Sequence, residues 1–522
     1  MRTAFSTRPR AQQPALAAAF MLLTLVAGCT VGPDYQPPAK PADNAYNINS
    51  ATRGDSTAKA SHAREPIPKQ AFERARKVRS DWYKVFGSDK LDALIGRAIK
   101  HSPTLAAGRA RIRAAREVVK ENRGALYPQI GVNGGYSRNR VTGAQFGITQ
   151  SSFTNVFNLY QAQATASYDL DLFGKTRRMI EASNAQLNEQ QYRVIDTYVT
   201  LINNVVATAI TEAGLNAAIQ TTRDIAKSQA NALAIVRKQI KYGAAIDADA
   251  TQIKTQLART RASLEPLRKQ KTLAVNRLAV LVGSNPGDFS DPGFTLDQLR
   301  LPRKLPVSVP GQLVDQRPDI LAAAAAVHAA SAQIGVATAN LLPDIRISGS
   351  YSRSALTPSD LGDPAFALYS LGASLSAPLF EGGRLHAAKR QAQDLFVAAL
   401  SDYRATTLSA FGEVANSLRS IEADARTLEA QRSALKAARN NLKTVRAQLD
   451  NGAADYVNLY TAQAQYQSAK LDYTKARVTR YRDTADLFRA LGGGWSQHGD
   501  SPMAAGAGTG AGQTAANAHV DS

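Results

Sequence analysis

The sequence predicts an α+β membrane protein built from two tandem repeats, each supplying a pair of membrane-spanning strands and a pair of long helices. Three observations carry this. First, Leu159 to Leu172 alternates strictly, with Tyr160, Ala162, Ala164, Ala166, Tyr168, Leu170 and Leu172 at one parity and Gln161, Gln163, Thr165, Ser167, Asp169 and Asp171 at the other. That is a strand with one apolar and one polar face. Tyr160 and Tyr168 share its apolar face eight residues apart, ~26 Å along a strand, close to the height of the outward apolar band of an outer-membrane barrel. Second, after Phe173 and Gly174 the pattern turns Ala- and Gln-rich, with no proline before Pro266. A helix of about seventy residues would reach ~100 Å.

Third, the chain repeats itself. At an offset of 215, HSPTL (His101 to Leu105) matches QRPDI (Gln316 to Ile320), and LYPQIGVNGGYSR (Leu126 to Arg138) matches LLPDIRISGSYSR (Leu341 to Arg353). At an offset of 209, QIKYG (Gln239 to Gly243) matches QLDNG (Gln448 to Gly452), and Gly283 matches Gly492. The slip between the two offsets falls in the strand hairpins, whose loops differ in length.

The elements follow in order. Arg2, Arg8 and Arg10, an apolar run from Ala15 to Val26, and Ala27, Gly28 and Cys29 read as a secretory leader over 1–28. Cys29 is the only cysteine among 522 residues, which excludes an intramolecular disulfide and a thiolate zinc cluster. Residues 29–80 are polar, proline-bearing and aperiodic, an extended tether laid along a neighbour. The first repeat spans 81–290. It opens with a capped amphipathic helix over Asp81 to Leu94, with Trp82, Tyr83 and Phe86 packed inward. A helix from Pro103 leads to strands at about 129–140 and 157–172 and then to helices at about 174–242 and 246–282, with Pro266 expected to kink or break the last. An irregular linker over 291–310 precedes the second repeat, 311–494, with strands at about 344–355 and 366–379 and helices at about 383–450 and 454–491. Residues 495–522 are a flexible low-complexity tail.

No apolar run approaches the 18 residues of a helical span, so the strands are the membrane element. Tyr136, Tyr160, Tyr168, Tyr351 and Tyr369 are the expected membrane-facing residues. Four strands cannot close a barrel, and an open edge in lipid leaves backbone groups unbonded. The chain must therefore oligomerise, and because eight strands enclose only side chains, conduction needs three or more copies.

The formal charge is +21, and losing the leader's three arginines leaves +18. The Lys and Arg residues are mixed with acids along helices and form no basic run interleaved with aromatics, against a nucleic-acid partner. The six histidines are scattered, no HExxH or nucleophile elbow occurs, and no catalytic or metal site is expected. A structural coiled-coil anchor of the envelope is the rival reading, and it leaves the duplicated two-faced strands unexplained.

LVAGC (Leu25 to Cys29), TVGPDYQPP (Thr30 to Pro38), DWYKVFGSDKLDALI, YDLDLFGKTRR, LAVLVG (Leu278 to Gly283), QRPDI, LLPDI and PLFEGGR (Pro378 to Arg384) together resemble the outer-membrane efflux factor family, the TolC and OprM type, in its NodT lipoprotein branch. The resemblance runs from Cys29 to about Gly494. It implies a trimer with a twelve-stranded β-barrel continued by a long periplasmic α-helical barrel. It also implies a covalent lipid on Cys29 and no other cofactor, outer-membrane lipid around the strands, and as partners a periplasmic membrane-fusion adaptor and an inner-membrane RND-type pump. The role implied is the passive, gated outer channel of a tripartite efflux system. Its gate lies at the helix-hairpin tips, here the turns at Gly243 and Gly452. The family motif GxxxYxxLLDAQ stands here as GAADYVNLYTAQ, keeping Gly452 and Tyr456 but placing Thr461 where the gating aspartate belongs. Asp247, Asp249 and Asp455 are the candidate substitutes.

Overall fold

Strands of membrane-crossing length form where the period is two, and very long helices where alanine dominates. The structure, a computed structural model, describes residues 30–39, 70–74, 78–142, 154–308 and 310–495. The leader, Cys29, the hairpin loop 143–153 and the tail from 496 lie outside them. In chain order the elements are β1 (Ala71–Arg74), α1 (Asp89–His101), α2 (Pro103–Gly124), β2 (Gln129–Thr142), β3 (Thr154–Leu170), α3 (Lys175–Lys241) and α4 (Asp247–Leu281). Then come β4 (Lys304–Val307), α5 (Pro310–Gln316), α6 (Pro318–Ala339), β5 (Asp344–Ala355), β6 (Ala367–Ser376), α7 (Arg384–Asp450) and α8 (Tyr456–Ala490). The two halves agree in length: α2 and α6 have 22 residues each, α3 and α7 have 67, and α4 and α8 have 35.

The chain divides into two compact units. One comprises the described parts of Met1–Pro38, Arg111–Gln190 and Ala323–Tyr403. Its centre is an antiparallel sheet in the order β2-β3-β5-β6, so β2 and β6 are both free edges. The segment just after Cys29, residues 30–39, is held on its own chain. The Val31 amide donates to the Phe173 carbonyl at 3.1 Å. The buried Arg178 guanidinium donates to the Val31 and Gly32 carbonyls and, at 2.8 Å, to Asp34, while also bonding Glu181 at 2.7 Å. Tyr35 stacks on His328, with ring centres 4.1 Å apart.

The other unit comprises the described parts of Ala39–Ala110, Gln191–Ala322 and Arg404–Ser522. Its core gathers Trp82, Phe86, Leu91, Ile95, Leu278, Phe294, Leu305, Leu313 and Ile320, all less than 2 % exposed. Trp82 stacks on Phe488 at 5.2 Å. Arg317 is buried nearby and donates to Asp319, to Glu413 at 3.0 Å and to the Ala490 carbonyl at 3.0 Å. Burial opposes its charge, and the pairs with Asp319 and Glu413 outweigh that and hold it above the usual arginine value.

Several expectations need correction. The tether and the linker each contribute a strand, β1 pairing with β4 in parallel. Four-residue strands carry too little pattern to be seen alone, and a parallel partner is remote in sequence. Asp81 does not cap a helix: Trp82–Phe86 is a 3-10 turn closed by Gly87 in the left-handed conformation, and Ser88 caps α1 through the Leu91 amide. Pro266 does not break α4, which runs through it. It lies on an exposed face, where the carbonyl that it leaves unbonded can reach water. The fourth strand is shorter than 366–379: Phe366 belongs to the 3-10 turn Pro364–Phe366, and the strand stops at Ser376, two residues before Pro378, which has no amide to donate to the ladder. Two helices, α3 and α6, do contain 18-residue windows apolar enough by composition to cross a membrane, and those windows are 61 % and 50 % buried inside the protein.

Candidate functional site: a two-faced sheet and two helix-hairpin tips

Residues directly opposite in an antiparallel pair point to the same side, so the register assigns every strand residue to a face. Tyr136 pairs with Tyr160, Ala164 with Tyr351, Tyr351 with Tyr369, and Tyr168 with Ile347. All five tyrosines therefore share one face, with Ile130, Val132, Ala162, Ala166, Ile345, Leu371 and Leu375. Water does not suit that face. Ile130 is 79 % exposed, Val132 80 %, Leu371 83 % and Tyr369 86 %, a contiguous apolar surface that a soluble chain rarely leaves open. Tyr136 and Tyr160 pack with ring centres 5.0 Å apart, and the Tyr136 hydroxyl donates to Asn158.

The opposite face carries Gln129, Asn133, Gln161, Gln163, Thr165, Ser167, Ser348, Ser350, Ser352, Ser370 and Ser374. Ser350 and Ser370 bond across strands at 2.8 Å, and Arg346 donates to Asp169 at 3.0 Å. This is a hydrophilic wall whose charge is largely cancelled. The alternation in the sequence announced both faces. The Asp169–Arg346 pair needs the register of two strands from different repeats, so nothing local in the sequence marks it.

The turns joining α3 to α4 and α7 to α8 are built alike. Gly243 and Gly452 adopt φ of 69° and 72°, a conformation that only glycine takes without cost. The Gly243 amide donates to the Ile240 carbonyl and the Ala244 amide to Gln239; in the second turn Gly452 donates to Leu449 and Ala453 to Gln448. Both helices therefore end in the paired 5→2 and 6→1 bonds of a Schellman motif. Asp455 starts α8 by accepting from the Asn458 amide at 2.7 Å. Asp249 accepts from the Ile246 amide at the start of α4. Asp247 is exposed in the same first turn. Both sets of acids therefore sit where a helix dipole favours them. Thr461 is exposed and its hydroxyl donates to the Val457 carbonyl, so it supplies no acid at the family's aspartate position.

The two tips also meet each other, which sequence reasoning missed. Gln239, at the end of α3, donates to the Tyr456 hydroxyl at 2.9 Å. Tyr456 packs against Leu233, Val236, Ile253 and Leu257 on one side and Leu442, Leu459 and Ala462 on the other. Tyr460, one turn later, buries its hydroxyl with no hydrogen-bond partner among the described residues. Burial pushes its phenol up, and Tyr456 and Asp249 add to this. The spacing Tyr-x-x-x-Tyr was the available signal, since it puts both rings on one helix face.

A sequence profile described as outer membrane efflux protein matches residues 94–284 and 309–493. The Pyoverdine export outer membrane protein OpmQ of Pseudomonas aeruginosa is 28% identical over 79% of this chain and 87% of its own. Outer membrane protein OprJ of the same organism is 26% identical over 93% of this chain and 97% of its own. Among solved structures, the outer-membrane channel OprN superposes with a TM-score of 0.79 at 26% identity, covering 90% of this chain and 100% of that one.

Proposed function

Because the chain belongs to the outer membrane efflux protein family, we propose that three copies of it close one gated channel. The protein is an outer-membrane channel of an efflux system. The observation that carries the finer reading is the sheet with an apolar face, a polar face and two free edges. In lipid, where an unpaired edge has no water to bond, β2 of one copy must meet β6 of the next. Two copies would give eight strands and an interior filled by side chains; three give twelve and a water-filled lumen lined by the Ser, Gln, Asn and Thr face. The five tyrosines then face the membrane at its interfaces, and a covalent lipid on Cys29, two to five residues from the Arg178 anchor points Val31, Gly32 and Asp34, holds the docked segment beside the barrel. Drugs or other small molecules pass through the lumen without covalent change, and no step needs a catalytic residue.

The sequence carries no GxxxxGK[ST] nucleotide motif, and a periplasmic adaptor coupled to an inner-membrane pump opens the tips by binding their splayed state better than their closed one. Gly243 and Gly452 sit in turns where a Cβ would meet nothing within 4 Å. Gly243→Trp and Gly452→Trp are expected to keep the native mass of three chains in detergent and to lose efflux-dependent drug resistance when they replace the wild-type gene. Full resistance in both variants would remove the tips from the adaptor interface. A folded wild-type protein with the mass of one or two chains would contradict the closed twelve-stranded barrel.

A further inference from the structure

The apolar face of the sheet changes character at its hairpin end, opposite the end where α2 enters and α3 leaves. On β2 the residues beyond Tyr136 on that face are Arg138 and Arg140, opposite Asn158 and Val156. On β5 the residue beyond Tyr351 is Arg353, opposite Ala162 and Ala367. The duplication places these groups at equivalent positions, since Tyr136 to Arg138 and Tyr351 to Arg353 are the same tripeptide, YSR, in the two repeats. Each repeat therefore puts an arginine one step outside a tyrosine, on the side that faces lipid.

The arginines differ in what they touch. Arg353 lies over the Tyr351 ring at 6.0 Å and donates to the Leu361 and Gly362 carbonyls at 3.1 and 2.8 Å, pinning the second hairpin while keeping its charge unpaired by any acid among the described residues. Arg138 and Arg140 are exposed and have no hydrogen-bond or ion-pair partner among the described residues. The residues 143–153 that follow them, GAQFGITQSSF, contain no acid. In the second hairpin the acids are Asp360 and Asp363, and Asp363 is engaged by the Ala365 amide at 2.9 Å. Arg138 and Arg140 lie beyond the Tyr136–Tyr160 pair, while Arg353, level with Ala162 between that pair and Tyr351–Tyr369, reaches outward to the hairpin carbonyls; the hairpin end is thus cationic on its outward face, with little negative charge of its own to satisfy it.

Guanidinium groups held at that height meet headgroups rather than acyl chains, and their planar forks match phosphate oxygens. We propose that Arg138, Arg140 and Arg353 form an outward belt that binds the phosphate-bearing headgroup of the outer-leaflet glycolipid. The proposal rests on the reading that the apolar face contacts lipid with the hairpins outward. Closure by three copies would repeat the belt around the barrel and give it several contact points for a headgroup carrying two phosphates. A basic residue close to an anionic lipid surface strengthens binding by about fivefold, so removing two per chain should weaken it by roughly 25-fold if they act independently.

The test uses the full mature trimer in neutral detergent, titrated with bisphosphorylated lipid A, with the same lipid stripped of both phosphates, and with inorganic phosphate, bound lipid being counted by native mass spectrometry. The wild-type protein should bind the bisphosphorylated form at least tenfold more tightly than the stripped form, less so as salt rises. Equal concentrations of inorganic phosphate should not displace it. Arg138→Gln with Arg140→Gln should lose most of that preference while keeping trimer mass and bilayer conductance. If that pair prevents assembly, Arg140→Gln alone should lower the affinity by about fivefold. Equal binding of the two lipids, displacement by inorganic phosphate, or undiminished preference in the variants overturns the belt while leaving a conducting trimer intact. A chain that neither trimerises nor conducts overturns the channel reading and the belt with it.

Discussion

Replacing Arg317 with alanine is expected to lower the unfolding free energy by about 3–5 kcal/mol, the cost of removing one partner from a buried ionic cluster. Arg317 is 5 % exposed, and its guanidinium bonds Asp319, Glu413 and the Ala490 carbonyl. Without it Asp319 and the Ala490 carbonyl lose their cationic partner, and Glu413 is left with Arg489 alone, 3.5 Å away, where water cannot fully replace the lost fork. Denaturant unfolding followed by circular dichroism, on trimers of matched concentration, measures the loss. Arg317→Lys keeps the charge but not the fork, so it should recover only part of the stability. The duplication supplies a control. At the offset of 215, Ser102 occupies the position of Arg317, and there it caps α2 by accepting from the Leu105 amide. Ser102→Ala should therefore cost about 1 kcal/mol, as a lost cap does. A loss below about 1 kcal/mol for Arg317→Ala, within the range of an exposed ion pair, would show that the cluster is solvated.

The second large effect separates four glycines that look alike in sequence. Gly283 and Gly492 adopt φ of 70° and 91°. A Cβ would lie 2.3 Å from the His101 carbonyl oxygen in the first case and 2.6 Å from the Gln316 carbonyl oxygen in the second. Both neighbours are backbone of the segments that open α2 and α6, so neither can turn aside. Gly243 and Gly452 have the same sign of φ and open space around them. Gly243→Ala and Gly452→Ala should each cost about 1 kcal/mol from the left-handed backbone alone. Gly283→Ala and Gly492→Ala should cost about 3 kcal/mol or more, because overpacking adds to that strain. The same unfolding measurement checks the contrast, and equal losses at all four sites would contradict it.

Much of this architecture is written locally. The alternation from Leu159 to Leu172 fixes the faces of β3, because a period of two survives without knowledge of the partner strands. The Ala-rich, proline-free stretch fixes α3, and the repeated motifs carry both features into the second half. What the sequence hides depends on remote pairing. β1 and β4 are four residues each and lie more than 200 positions apart, so neither has enough pattern to declare itself. Pro266 is compatible with α4 only because its face is exposed, which periodicity in an Ala-rich helix does not reveal. Arg178 and Arg317 look like two more cations in a basic chain until burial distinguishes them. At the tips, the turns were legible from Gly243 and Gly452, whereas the bond from Gln239 to Tyr456 joins different repeats.

The central claim is a gated conduit, and planar-bilayer conductance of the purified mature trimer tests it most directly. Asp247, Asp249 and Asp455 should be replaced together by asparagine, which keeps helix capping while removing charge. The wild-type protein is expected to give small, rarely open currents, and the triple variant longer or larger ones, which would place the gate at the tips. A well-folded trimer that passes no current in either form would contradict a channel and favour a structural anchor of the envelope.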